Sequence, residues 1–257
     1  MNISKNINWF NYIDHIFVIN YINNNRYDAI CKELLKVDID IHKLSIDKFS
    51  FLFDIDYNIL NNYINFENIV NDINIHINNI SDFVIDYTKI YLKLGLNLYK
   101  ILKISKFMNY ERILILEDDA IFLKNYKYFN EALLNLNSLS FDMLLGQGYY
   151  GFNHNFNNAI KNKWQNEFFI RTDIDSIFTS YGAAFVLLTK EGINNIINIY
   201  ESLGYPIMLD TIIGLTKYNL DILTVKKPLA IQDWYFEVGD DNTYKQINQY
   251  MDINEYK

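Results

Sequence analysis

The 257 residues, half of them apolar and 16% aromatic, suffice to bury the core of one full α/β domain and are too rich in core-forming side chains for a disordered chain. A net charge of −8, from 23 basic and 31 acidic residues with no basic cluster, argues against nucleic acid as a partner. The single cysteine, Cys31, excludes an intrachain disulfide and a cysteine-based zinc site, and it points to a reducing compartment.

Met1 to Asn11 lacks the apolar centre of a signal peptide, and no apolar run reaches the roughly 18 residues that a spanning helix needs, so a cytoplasmic protein is expected. Docking on a membrane surface through an aromatic patch stays open. The abundance of Asn, Ile, Lys and Tyr forms no repeat and carries no functional weight. One catalytic domain over residues 1–257 is the economical organisation.

In chain order, His15 to Asn20 is a short apolar run that reads as a buried strand. A polar turn at Asn23-Asn24-Asn25 follows, and then a helix near Arg26 to Leu35. All nine glycines and both prolines lie from Gly95 onward, so punctuation is missing before it. Residues from about 49 to 80 show no clean period and are expected to form an irregular or partly helical insertion.

Tyr87, Ile90, Tyr91, Leu94, Leu98, Ile101 and Leu102 fall on one face of a helix and predict packing against a sheet. Arg112 to Leu116 predicts a second buried strand, ending in Glu117-Asp118-Asp119. A helix near Tyr126 to Leu136 and a strand from Asp142 to Leu145 follow, the latter opening into a glycine-rich loop from Gly146 to Gly151. Ala183 to Leu188 is another apolar run, and Thr189 is a plausible N-cap for a helix from Lys190 to about Ser202. Gly204-Tyr205-Pro206 breaks that helix. A short helix near Asp210 to Tyr218, a strand Ile222 to Val225 and the segment Pro228 to Asp233 complete the domain, and the tail beyond Asp240 is polar. Alternating strands and helices predict a mostly parallel central sheet with helices on both faces.

Three adjacent carboxylates where a buried strand leaves the sheet repel one another, so a cation or several donors should sit against Glu117, Asp118 and Asp119. In open α/β sheets ligands bind beyond the carboxyl ends of the strands. Mn²⁺ or Mg²⁺ prefers carboxylate oxygen and keeps positions open for substrate phosphates. The bland alternative is a solvated acidic turn. The loop from Gly146 lets backbone approach a ligand, with Gln147, Tyr149 and Tyr150 offering hydrogen bonds and a stacking face. His154 is read as an ordinary loop histidine, and Tyr181 either lines the same pocket or belongs to the core.

The run Ile113-Leu114-Ile115-Leu116-Glu117-Asp118-Asp119-Ala120 resembles the Asp-x-Asp-type motif of GT-A glycosyltransferases, and especially the Leu-Glu-Asp-Asp motif of glycosyltransferase family 25, which includes lipopolysaccharide and procollagen galactosyltransferases. Phe17-Val18-Ile19-Asn20 with Arg26 is similar to that family's opening strand and arginine-rich turn, and Asp142-Met143-Leu144-Leu145-Gly146 to its Asp-hydrophobic-hydrophobic-Leu-Gly strand. Tyr181 to Leu187 with Glu191-Gly192, Pro206 to Asp210, and Lys227 to Asp233 resemble three later segments, so the likeness runs in order through most of the chain. The family's Gly-Cys-x-x-Ser-His signature is replaced by Gly95-Leu96-Asn97-Leu98-Tyr99-Lys100.

The resemblance implies a GT-A-like fold and an inverting, metal-dependent transfer of a hexose from a nucleotide sugar, a UDP-hexose by preference, to a glycan or a hydroxylated side chain. It implies Asp119 as metal ligand, with Glu117 or Asp118 completing the shell or holding the donor ribose, and Asn20, Arg26, Gly146 and Gln147 as donor-side residues. Asp210 matches an acceptor-side carboxylate and is the expected general base, with helix N-capping as its structural alternative. With His15, His42, His76 and His154 all outside the last hundred residues, Asp233 is the first choice for a third metal ligand. Two other readings stand beside this one: a Mg²⁺-dependent phosphotransfer or phosphohydrolase enzyme, and a degenerate transferase that serves as a binding subunit.

Overall fold

A computed structural model describes residues 12–19, 26–37, 39, 49–52, 82–122, 126–146, 165–172, 184–204, 209, 220–226 and 229–232. The elements are strand β1 (His15–Ile19), helix α1 (Arg26–Lys36), strand β2 (Phe49–Leu52), helix α2 (Asp82–Phe107), strands β3 (Arg112–Glu117) and β4 (Ala120–Phe122), and helix α3 (Tyr126–Leu136). Strands β5 (Met143–Leu145), β6 (Phe169–Thr172) and β7 (Phe185–Thr189), helix α4 (Lys190–Leu203), and strands β8 (Ile222–Val225) and β9 (Ala230–Gln232) follow.

Seven strands form one sheet in the order β2-β1-β3-β7-β5-β8-β6, and β4 pairs with β9 in a separate two-stranded ribbon. β1 runs parallel to both β2 and β3, and β5 runs parallel to β8. β7 is antiparallel to its neighbours β3 and β5, and β6 to β8. Five strands therefore share one direction and two oppose it. The fold is α/β with a mostly parallel sheet.

Alternation along each strand divides the core in two. Ile16, Val18, Leu114, Leu116, Leu144, Phe185 and Leu187 face α1 and α3, where Ile30, Leu34, Ala132, Leu133 and Leu136 meet them. Phe17, Ile113, Ile115, Met143, Leu145, Val186 and Leu188 face α2 and α4, against Leu98, Ile101, Leu102, Ile193, Ile196 and Ile197. Because both faces are covered, the strands read as unbroken apolar runs. Truncating a central residue such as Leu114 or Leu187 to alanine is expected to cost about 2–5 kcal/mol. On the second face α2 and α4 lie side by side, with Tyr99 edge-on to Tyr200 at a centroid distance of 5.7 Å and Lys103 paired to Glu201 at 2.7 Å.

Thr189 ends β7 and caps α4: its backbone is extended, at φ −85 and ψ 169, and its hydroxyl accepts the amide of Gly192. At the far end Gly204 takes the left-handed conformation, φ 77, that closes the helix.

Three features depart from the sequence expectations. Phe49 to Leu52 is the edge strand β2, paired residue for residue with Ile16 to Ile19, and not the start of an irregular insertion. A parallel partner, and not any local alternation, makes it a strand. The short strands β4 and β6 were not anticipated, and β9 occupies three residues of the Pro228 to Asp233 segment. The expected helix near Asp210 to Tyr218 and most of the 49–80 segment lie outside the described residues. Among the described residues no helix is long and apolar enough to cross a membrane.

Candidate functional site

From β1 the chain passes through α1 to β2 on one flank, and from β2 it returns through α2 to β3 on the other flank of β1. α1 and α2 cover opposite faces of the sheet. The strand order therefore reverses between β1 and β3, and it is at the carboxyl ends of strands at such a point that open α/β sheets take ligands. Ile19 and Glu117 are paired in register at that edge. The amide of Asp118 donates to the carbonyl of Ile19 at 3.1 Å, so the ladder extends into the acidic turn.

Asp118 is only 5% exposed and Arg26, the first residue of α1, donates from Nη1 to its Oδ1 at 3.2 Å. A carboxylate buried to this degree needs a cationic partner. Arg26 itself stays 39% exposed, so one side of the guanidinium faces solvent. Glu117 and Asp119 flank Asp118 and are partly exposed.

A second tie joins the same helix to the same turn. Glu33, seven residues beyond Arg26 and so on the same face of α1, accepts the amide of Phe122 through Oε2 at 3.0 Å. Phe122 belongs to β4, directly after the acidic turn, and packs edge-on against Phe185 at 6.1 Å. One helix thus fixes the turn at Asp118 by a side chain and at Phe122 by the main chain. The sequence reasoning missed Glu33; its signal was the i, i+7 spacing from Arg26.

Gly146, at the carboxyl end of β5, is buried, and both its backbone groups are in use. Its amide donates to Phe185 at 2.9 Å, and its carbonyl accepts from Leu229 at 2.7 Å. A Cβ on this residue would lie 2.2 Å from the Phe185 ring, so the position requires glycine for close packing. Through Leu229 the bond brings in β9, which pairs with β4: Gln232 lies opposite Ala120.

Of the residues expected at the site, the structure brings Arg26 and Asp118 into contact, puts Glu117 and Asp119 in the same turn, and gives Gly146 a packing role at the neighbouring strand end. Asn20, Gln147, Asp210 and Asp233 lie outside the described residues, as do Tyr149, Tyr150, His154 and Tyr181. Among the described residues no three His, Cys, Asp or Glu side chains form a group able to hold a metal ion by themselves. The donor chemistry of the turn fits a hard divalent ion held by one or two carboxylates, with phosphate and water completing the shell, which is how Mg²⁺ commonly binds beside a nucleotide.

Compared with known proteins, the chain matches no family model and no curated sequence. Among solved structures, the crystal structure of A197 from STIV aligns over 85% of this chain and 83% of its own at 12% identity, with a TM-score of 0.39. A likeness of that degree carries no functional argument.

Proposed function

We propose that the chain is a metal-dependent, inverting glycosyltransferase that moves a hexose from a nucleotide sugar to a glycan or hydroxylated side-chain acceptor. The observation that supports this most is the acidic turn at the β1/β3 switch point, clasped by an arginine from the start of the first helix. A sugar diphosphate needs both elements: carboxylate oxygen for a bridging cation and a fixed guanidinium for phosphate.

In this reading Asp119 and Glu117 would hold Mn²⁺ or Mg²⁺, whose charge would offset that of the diphosphate leaving group. Asp118 keeps Arg26 oriented toward the donor, and Glu33 holds the turn rigid from the main-chain side. The exposed edge of Arg26 is available for a phosphate oxygen. Asp233, directly bonded to a residue of the β4–β9 ribbon, is the proposed third ligand, and Asn20 and Gln147 contact the donor. Asp210 accepts the proton of the acceptor hydroxyl as its oxygen bonds to the anomeric carbon and the bond from that carbon to phosphate oxygen breaks. We assign the reaction to the cytoplasm, a reading supported by Cys31 being the chain's single cysteine.

The test is a donor screen with UDP-galactose, UDP-glucose, UDP-N-acetylglucosamine and GDP sugars in the presence of Mn²⁺. Turnover with one donor should fall by about 100-fold or more in Asp119→Asn at unchanged melting temperature. Absence of both turnover and a Mn²⁺-dependent thermal shift with every donor would overturn the reading in favour of a non-catalytic subunit.

A further inference from the structure

Helix α2 ends in a fixed geometry. Asn109 takes the left-handed conformation, φ 57, the amide of Tyr110 donates to Ser105 at 3.0 Å, and that of Asn109 to Lys106 at 3.2 Å. These two bonds across a left-handed residue are the Schellman arrangement, which caps a helix firmly. Tyr110, just past the cap, turns inward and stacks on the buried His15 at 5.3 Å. Phe107 and Met108, on the cap itself, point out: they are 88% and 52% exposed. Their exposure is built into the cap and does not come from a frayed end.

Lysines outnumber acids around them, with Lys100, Lys103, Lys106 and Lys190 against Glu111 and Glu201, in a chain of net charge −8. Leu98, Ile101, Leu102 and Ser105 form the buried side of α2, and the opposite arc carries Lys100, Lys103, Lys106 and Phe107. Lys103 is paired to Glu201, whereas Lys100 and Lys106 stand exposed. From Lys100 to Tyr110 the sequence holds three lysines and no acid, and the exposed Glu111 that follows is paired to Lys190. Two protruding apolar side chains inside a basic rim complement an anionic lipid surface, where the rings and thioethers enter the headgroup layer and the ammonium groups stay among the phosphates.

We propose that the α2 cap is a docking point for membranes containing anionic lipid. The cap sits at the amino edge of β3, a strand of six residues and about 20 Å in length, with the acidic turn at its other end. Docking therefore leaves the carboxyl edge of the sheet facing away from the bilayer. The proposal is independent of what the acidic turn does.

Vesicle flotation of the full chain tests it. The protein should float with phosphatidylcholine vesicles containing phosphatidylserine, stay down with phosphatidylcholine alone, and be released by high salt. Phe107→Ser with Met108→Ser should weaken binding about ten-fold, and Lys100→Gln or Lys106→Gln about five-fold each. All four side chains are exposed, so near-ultraviolet circular dichroism should be unchanged. Failure of the wild type to float with anionic vesicles, or equal flotation of the Phe107/Met108 variant, overturns the proposal. So does a wild type that is dimeric by light scattering, does not float, and becomes monomeric in that variant, since the face would then be covered by a second copy of the chain.

Discussion

The two edges of the main sheet both carry carboxylates, but they use them differently. At the amino edge Asp14 accepts the amides of Glu111 and Arg112 at 2.7 and 2.9 Å, tying β1 to β3. Asp142 accepts the amide of Asp221 at 2.9 Å and the Asn195 side chain at 3.0 Å, tying β5 to β8 and α4. Both acids accept main-chain amides, as befits a structural staple. At the carboxyl edge Asp118 instead faces a half-exposed guanidinium. A side-chain cation can be rearranged by a ligand, whereas a ladder amide cannot without unfolding the strand. Asp221 at the amino edge also meets a guanidinium, that of Arg171, so a side-chain cation alone does not mark a ligand edge; what sets Asp118 apart is a carboxylate only 5% exposed at the strand ends where the strand order reverses.

That contrast is sharpest in its largest expected effect. Gly192 lies against the amino edge so closely that a Cβ would stand 2.0 Å from the Asp142 carbonyl oxygen. Gly192→Ala should lose about 3 kcal/mol or more in urea unfolding, because the obstacle is backbone and not a pliable side chain. Next, Asp14→Ala should lose about 1–2 kcal/mol, part of its bonds being replaceable by water at the exposed Glu111 amide, while any metal-dependent thermal shift persists. A lost metal response in Asp14→Ala would erase the distinction between the edges.

A smaller effect is expected at Glu33. Glu33→Ala should raise the Mn²⁺ concentration for half-maximal thermal stabilisation about five-fold, and Glu33→Gln, which keeps an acceptor oxygen for the Phe122 amide, should stay close to wild type. Equal behaviour of the two variants would mean that the charge, and not the main-chain tie, matters.

The smallest effect concerns Asp221. Burial raises its pKa above the ordinary value of 3.8 and outweighs the opposing pull of the adjacent Arg171, with Asp142 adding repulsion. A carboxyl whose folded pKa is raised gives its full stabilisation below 3.8, and that contribution is lost as the pH climbs through the folded value. Over that window wild-type stability should therefore fall relative to Asp221→Asn, as read by parallel urea titrations. A relative gain would show the Arg171 pair to dominate.

How much of this was legible in the sequence depended on where each signal lay. β1, β3 and β7 were visible because both faces are buried and the apolar runs are continuous; Thr189 was visible because capping is local chemistry. β5 and β8 are as short as β2, β4, β6 and β9 but are buried throughout and so read as apolar runs. Those other four mix polar or half-buried residues into three or four positions and exist because a neighbour's ladder is open to them. The acidic turn stood out as a motif, yet the Arg26–Asp118 contact spans 92 residues and was approached only through resemblance. The close packing at Gly146 and Gly192 was hidden, since a glycine in a sequence does not say which atom approaches it.

The β4–β9 ribbon has a consequence for biogenesis. Ala120 follows the acidic turn directly, and its partner Gln232 is made more than a hundred residues later. While the chain is still emerging from the ribosome, the turn has Arg26 and Glu33 at hand but lacks the strand that closes its far side. Translation must pass Gln232 before that partner strand exists, so a product released earlier would lack the ribbon beside the acidic turn.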